Sequence, residues 1–241
     1  MAKIFITGST DGIGFLAAEQ MILDGHQVYL HARNASRSID VKSKLSDAEG
    51  VLEADLCNID QVKRLAKQLN ELGKFDAIIH NAGVLTMPSR NLFNVNVLAP
   101  YILTCLVKKP QRLIYLSSSM HSGGKVLQNE TDINNIGYSD SKLHVTMLMK
   151  AVARMCPGVH ANAVDPGWVP TKMGGGDATD NLQAGYETQV WLATSDDREA
   201  LVSGRLFHHK EAQAPKKEVN EVVLQEQLLE ICGKLSEVNW H

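Results

Sequence analysis

The sequence is poor in several features that would narrow its function at once. Its four cysteines, Cys57, Cys105, Cys156 and Cys232, are scattered, and none forms a C-x-x-C pair. A disulfide framework or a thiolate metal site needs paired spacing, so they read as reduced thiols in the cytosol, and no metal is expected. No apolar run reaches the ~18 residues a membrane-spanning helix requires, so no membrane span is expected. Neither sign of charge dominates: 24 Lys and Arg stand against 27 Asp and Glu, a net charge of -3. Nothing there attracts nucleic acid or an anionic lipid surface. The N-terminus lacks a charged region followed by a long apolar one, so no signal peptide is expected and a cytoplasmic location is. No composition shift, repeat or low-complexity tract interrupts the chain. It reads as one domain, 1–241, long enough to bury roughly 70–75% of its unfolded surface.

What is present begins with Thr7-Gly8-Ser9-Thr10-Asp11-Gly12-Ile13-Gly14, between the apolar run 4–6 and an apolar-periodic segment, 13–23. That is a buried strand, a tight turn and a helix start. A helix N-terminus offers unpaired N–H groups and the positive end of its dipole to an anion. Gly8 suits the turn, while Gly12 and Gly14 allow a pyrophosphate and a neighbouring strand to approach. The spacing G-x-x-x-G-x-G differs from the G-x-G-x-x-G fingerprint, so by itself the turn is weak evidence.

Strand patterns recur at 28–30, 51–55, 75–79, 113–116, 160–164 and 205–208. Helical patterns fall at 34–44, 59–69, 95–107, 140–155 and 186–193. This alternation predicts an α/β fold: a single doubly wound Rossmann domain with a seven-stranded parallel sheet flanked by helices. A ligand is then expected at the carboxyl ends of the strands. A last amphipathic segment, 218–235, reads as a helix docked on the sheet or at a subunit contact, or else as a partner-binding helix.

Further motifs follow the strands. Asn81-Ala82-Gly83 follows the fourth, and Asn96 lies in the next helix. Ser117-Ser118-Ser119 closes the fifth, and Tyr138-Ser139-Asp140-Ser141-Lys142 opens the following helix. Tyr138 and Lys142 are one helical turn apart on one face. A free phenol, pKa about 10, is a poor base at neutral pH. A nearby ammonium and a positive nicotinamide ring would favour the phenolate. Tyr138 then exchanges a proton with an alcohol or carbonyl oxygen, and Ser118 polarises that same oxygen.

From Thr7 to about Thr171, through T-G-x-x-x-G-I-G, N-A-G, S-Y-x-x-x-K and P-G-x-x-x-T, the chain resembles the classical short-chain dehydrogenase/reductase family. The S-S-x-x-H run ending at His121 is similar to the retinol-dehydrogenase-like branch. The resemblance implies that Lys142 also holds the nicotinamide ribose and that Asn96 holds a relay water. It implies Ser118 as the catalytic serine, with Ser117 and Ser119 as alternatives, and prefers Asn96 to Asn94. His121 is either a substrate contact or a polar loop residue. Backbone around Pro166, Gly167, Trp168 and Val169 would meet the nicotinamide, and Thr171 its carboxamide or a phosphate. A substrate lid falls within 172–200, where Trp168 and Met173 form an apolar wall or belong to the core. Asp55-Leu56 fits an adenine-contacting pair, with a capping aspartate as the rival for Asp55. Family members commonly assemble as homodimers or homotetramers.

Cofactor choice turns on His31-Ala32-Arg33-Asn34. Ala32 stands where an NAD-type member carries Asp, and the Arg33 guanidinium suits a phosphate. NADP(H) is therefore expected, with NAD(H) as the alternative; Asp11, where NADP-type members often carry a basic residue, counts against it. The expected activity interconverts a carbonyl and an alcohol on a small or apolar substrate. The rivals are a non-catalytic dinucleotide-binding redox regulator, which typically lacks the Tyr or Lys, and a sugar-nucleotide epimerase, which needs a larger substrate domain.

Overall fold

A computed structural model describes residues 1–240. Its strands are β1 (Lys3–Ile6), β2 (Gln27–Ala32), β3 (Gly50–Glu53), β4 (Ala77–His80), β5 (Arg112–Leu116), β6 (His160–Asp165), β7 (Leu206–His208) and β8 (Glu211–Gln213). They form one sheet in the order β3-β2-β1-β4-β5-β6-β7-β8. The order reverses between β1 and β4, which puts a ligand crevice beside the glycine turn. Seven strands are parallel, as expected. The eighth, β8, runs antiparallel to β7 and was not anticipated. Its two-residue turn, His209-Lys210, carries φ 49 and 68. Such turns usually contain Gly or Asn, so His-Lys gave no hairpin signal.

Side chains alternate across the sheet. Phe5, Ile78, Leu113 and Tyr115 enter one core, with α3 (Ile59–Glu71), α5 (Ala99–Leu106), α6 (Tyr138–Met155) and α8 (Val222–Ser236) contributing to it. Ile4, Ile6, Ala77, Ile79 and Ile114 enter the other, with α1 (Gly12–Leu23), α2 (Ala35–Lys44) and α7 (Leu182–Thr194). Strands buried on both faces read as continuous apolar runs, as β1 and β4 do. Among the described residues no helix is long and apolar enough to cross a membrane.

Three helix readings change. The helix expected over 95–107 begins earlier, as α4 (Ser89–Phe93), and runs through a π-helical turn, Asn94–Leu98, into α5. Asn96 therefore lies mid-helix. The irregular part of the 172–200 segment ends at Asn181, which caps α7; Val190, Leu192 and Ala193 of that helix are core. The C-terminal segment enters through a 3-10 turn, Lys217–Asn220, and α8 docks against α6 with Leu228, Ile231 and Cys232 buried.

Candidate active site

The glycine turn is pinned from three sides. Gly8 has φ +66, and a Cβ there would come within 2.8 Å of Ala82 Cα. Gly12 has φ +56, and a Cβ on Gly14 would collide with Asn81 Nδ2. Asn81 Nδ2 donates to Thr7 O at 2.9 Å and to Gly8 O at 3.1 Å, and Ala82 N–H donates to Thr7 Oγ1 at 3.0 Å. Asn81-Ala82-Gly83 thus buttresses the turn. Asn81 Oδ1 is buried without a partner. The Asp11 carboxylate caps α1, accepting from Gly12 N–H at 2.9 Å, and pairs with Lys172. That contact holds the Asp11 carboxyl below its usual range. Thr10 Oγ1 accepts from the Arg37 guanidinium at 3.3 Å, and Ile13 packs against the second core.

His31 is a support the sequence reading missed. It is buried, and its Nδ1 accepts from Gly8 N–H at 3.1 Å while Nε2 bonds Ala54 O at 2.9 Å. Burial depresses its pKa to about 4, so it stays neutral and can accept. Only its place at the end of a strand beside the glycine turn hinted at this.

Past β2, Arg33 is exposed and lines a cleft of about 550 Å³ with Asn34, Asp55, Gln61 and Arg64. Asp55 Oδ1 accepts from Cys57 N–H at 3.0 Å; the helix cap itself is Asn58, not Asp55. Leu56 is buried in the first core. A second cleft, about 410 Å³, lies between Thr10, Asp11 and Gly12 and the segment Pro170–Lys172.

The catalytic candidates converge where β4, β5 and β6 end. Lys142 is 4% exposed, and its Nζ donates to Leu116 O at 2.7 Å. A Cβ at Gly83 would stand 3.3 Å from Lys142 Nζ and 3.6 Å from Asn96 Oδ1, so glycine keeps that approach open. Asn96 Oδ1 accepts from Val84 N–H at 2.8 Å, and its Nδ2 donates to Val84 O at 3.0 Å and Ser141 Oγ at 2.9 Å. The π-turn, a distortion common at functional sites, brings it there. Asn94 points elsewhere, donating to Cys57 O at 2.9 Å. The serines separate too. Ser117 is buried and bonded to Thr146 Oγ1 at 2.6 Å, whereas Ser118 is half-buried and lies beside Tyr138.

Among the protein's own groups, burial dominates the electrostatics here. Tyr138 is pushed up to about 12, first by burial and then by the Asp165 carboxylate, with Ser118 working the other way. Burial lowers Lys142 to about 8, which Asp165 opposes. Lys142 Nζ lies 5.3 Å from the Tyr138 ring centroid, but burial and Asp165 prevail, and the phenol is neutral. Asp165 was not among the expected site residues, although its place immediately before Pro166-Gly167 at a strand end was a signal. It is 7% exposed, and Oδ2 is 3.6 Å from His208 Nδ1.

The loop after β6 is held by side chains near the mouth. Gly167, at φ +80, lies against Asp180, whose Oδ2 accepts from Trp168 N–H at 2.6 Å. Trp168 is half exposed and donates from Nε1 to Gly174 O at 2.8 Å, so it is not core. Val169 is buried, Pro166 is half-buried, and Thr171 reaches toward Gly12.

Residues 2–181 match the short chain dehydrogenase family. The chain belongs to that family. Among curated short-chain dehydrogenases, chyC of Penicillium rubens is 41% identical over 98% of each chain. Retinol dehydrogenase 13 of Homo sapiens is more distant, 27% identical over 71% of this chain and 60% of its own. Solved structures share the short-chain dehydrogenase fold. A blue fluorescent protein from a metagenomic library, in complex with NADPH, superposes with a TM-score of 0.70 at 21% identity, over 85% of this chain and 95% of its own.

Proposed function

We propose that this chain is an NADP(H)-dependent oxidoreductase that interconverts a carbonyl and an alcohol on a small or apolar substrate. The observation that carries this reading is the grouping of a neutral Tyr138 phenol, the Ser118 hydroxyl beside it and buried Lys142 one turn along α6. A neutral phenol is the form that gives a proton to a carbonyl oxygen, and Ser118 polarises that oxygen. Lys142 holds the nicotinamide ribose, and Asn96 supports the proton path at its Nζ. Trp168, half exposed at the mouth, supplies an apolar wall for substrate.

A dinucleotide fits the residues present. The two positive-φ glycines and the N-terminus of α1 form an anion cradle, in which a Cβ at Gly8 or Gly14 would collide with Ala82 or Asn81. When bound, the dinucleotide supplies or accepts the hydride; the protein positions and polarises. Gly8, Thr10, Asp11, Gly12, Ile13 and Gly14 take the pyrophosphate region, and Pro166 to Thr171 the nicotinamide. Arg33, with Arg64 across the cleft, takes a 2′-phosphate; Asp55 and Leu56 flank the adenine. Lys172 neutralises Asp11, which lessens its objection to the phosphorylated cofactor.

Fluorescence titration with NADPH and NADH, followed by carbonyl-dependent NADPH oxidation, tests the reading. Tighter NADPH binding and turnover with an apolar ketone or aldehyde are expected. Binding without turnover on a broad carbonyl panel would favour the redox-regulator reading. Binding of neither nucleotide would overturn both.

A further inference from the structure

The loop that carries Ser118 is tied to a segment beyond residue 181, where the family match ends. Ser118 opens a 3-10 turn, Ser119–Gly123. His121 within it is 5% exposed. Its Nδ1 bonds Ser118 O at 2.7 Å, and its Nε2 accepts from Lys216 N–H at 3.1 Å. These partners fix the tautomer, because a carbonyl only accepts: Nδ1 carries the hydrogen and Nε2 is the acceptor. Lys216 Nζ donates to Gly124 O at 2.6 Å and lies 3.3 Å from Glu218 Oε1. On its other side the loop is seated on the first turns of α6. A Cβ on Gly124 would come within 2.5 Å of Ser139 O, and Lys125 N–H donates to Asp140 Oδ1 at 2.6 Å.

We propose that His121 and the backbone of Lys216 form a clamp through which the C-terminal strap positions Ser118 against Tyr138. His121 is a positioning residue, not a catalytic one: its two ring nitrogens are committed to Ser118 O and Lys216 N–H. The loop is thus held between α6, which carries Tyr138, and a segment that docks through α8 on the same helix. Misplacing a polarising donor slows the chemical step and leaves distant cofactor contacts alone. This rests on the role proposed for Ser118.

Two substitutions break the clamp differently. Lys216→Pro removes the N–H together with the Nζ contacts to Gly124 O and Glu218, and the native φ of -51 suits proline; Lys216→Met removes the Nζ contacts alone, and the clamp requires Lys216→Pro to exceed its effect. His121→Leu removes both ring contacts, while His121→Gln restores an acceptor of similar reach. Both kcat with the NADPH dissociation constant and hydrogen exchange of the 118–124 amides are measured. Lys216→Pro and His121→Leu should speed exchange across that segment and lower kcat about tenfold, with NADPH affinity unchanged and His121→Gln recovering most of the loss. Unchanged exchange in Lys216→Pro overturns the clamp, whatever the turnover. Faster exchange at unchanged kcat overturns its part in positioning Ser118. Wild-type protein without turnover would sink the oxidoreductase reading instead, and hydrogen exchange would still judge the clamp.

Discussion

The two ends of the proposed dinucleotide cleft are built by opposite means. At the adenosine end Arg33 is exposed and its cleft is open to solvent, ringed by charged and amide side chains. The side chains there present their charge directly to water. At the catalytic end Lys142 is 4% exposed and Asn96 2%. Burial there moves Tyr138 up to about 12 and Lys142 down to about 8. Under the proposed reading, the comparison teaches that selection of the ligand would fall to exposed charge and tuning of the proton chemistry to exclusion of water. A substitution at one end should therefore leave the property governed by the other intact.

The largest effect belongs to the buried end. Tyr138→Phe removes the proton donor while keeping the ring, and turnover should fall by about a thousandfold or more. Cofactor affinity, read by fluorescence titration, should change little; substantial turnover in this variant would remove Tyr138 from the mechanism. The next effect probes the exposed end. Arg33→Ala should weaken NADPH binding by about ten- to a hundredfold, the worth of a charged hydrogen bond, and leave NADH binding nearly unchanged. Equal losses for both nucleotides would show that Arg33 does not read the phosphate, and a change in the pH profile would break the separation of the two ends. The smallest effect sharpens the account of the buried end. Asp165 raises Tyr138, so Asp165→Asn should lower the phenol's pKa. Carbonyl reduction needs the protonated phenol, and the basic limb of its kcat/KM profile should then move to lower pH. An unmoved limb would show that the Asp165 carboxylate does not govern the reacting phenol.

Much of this was legible because it is local. Apolar runs at β1 and β4 announce strands buried on both faces, and Gly8 announces the left-handed turn that the structure shows; Gly12, read only for close approach, proves left-handed as well. Tyr138 and Lys142 share a helix, so their spacing alone places them together. Other features depend on residues far apart in the chain. Ser117 and Ser118 are chemically identical in sequence, and only the distant Thr146 hydroxyl shows which of them is committed to the core. His209 and Lys210 make a hairpin turn without turn-forming residues, so β8 left no local trace.

The sequence by itself determined the alternation of strands and helices, the glycine turn and the helical register of the Tyr-Lys pair. Each follows from backbone preference or periodicity over a few residues. Only the tertiary structure decided that burial raises the Tyr138 phenol above its ordinary pKa, that Asp165 stands in its field, and that His31 and His121 act as hydrogen-bonded supports. Proton affinity depends on burial and on charges brought together across the fold, and neither exists until the chain has packed.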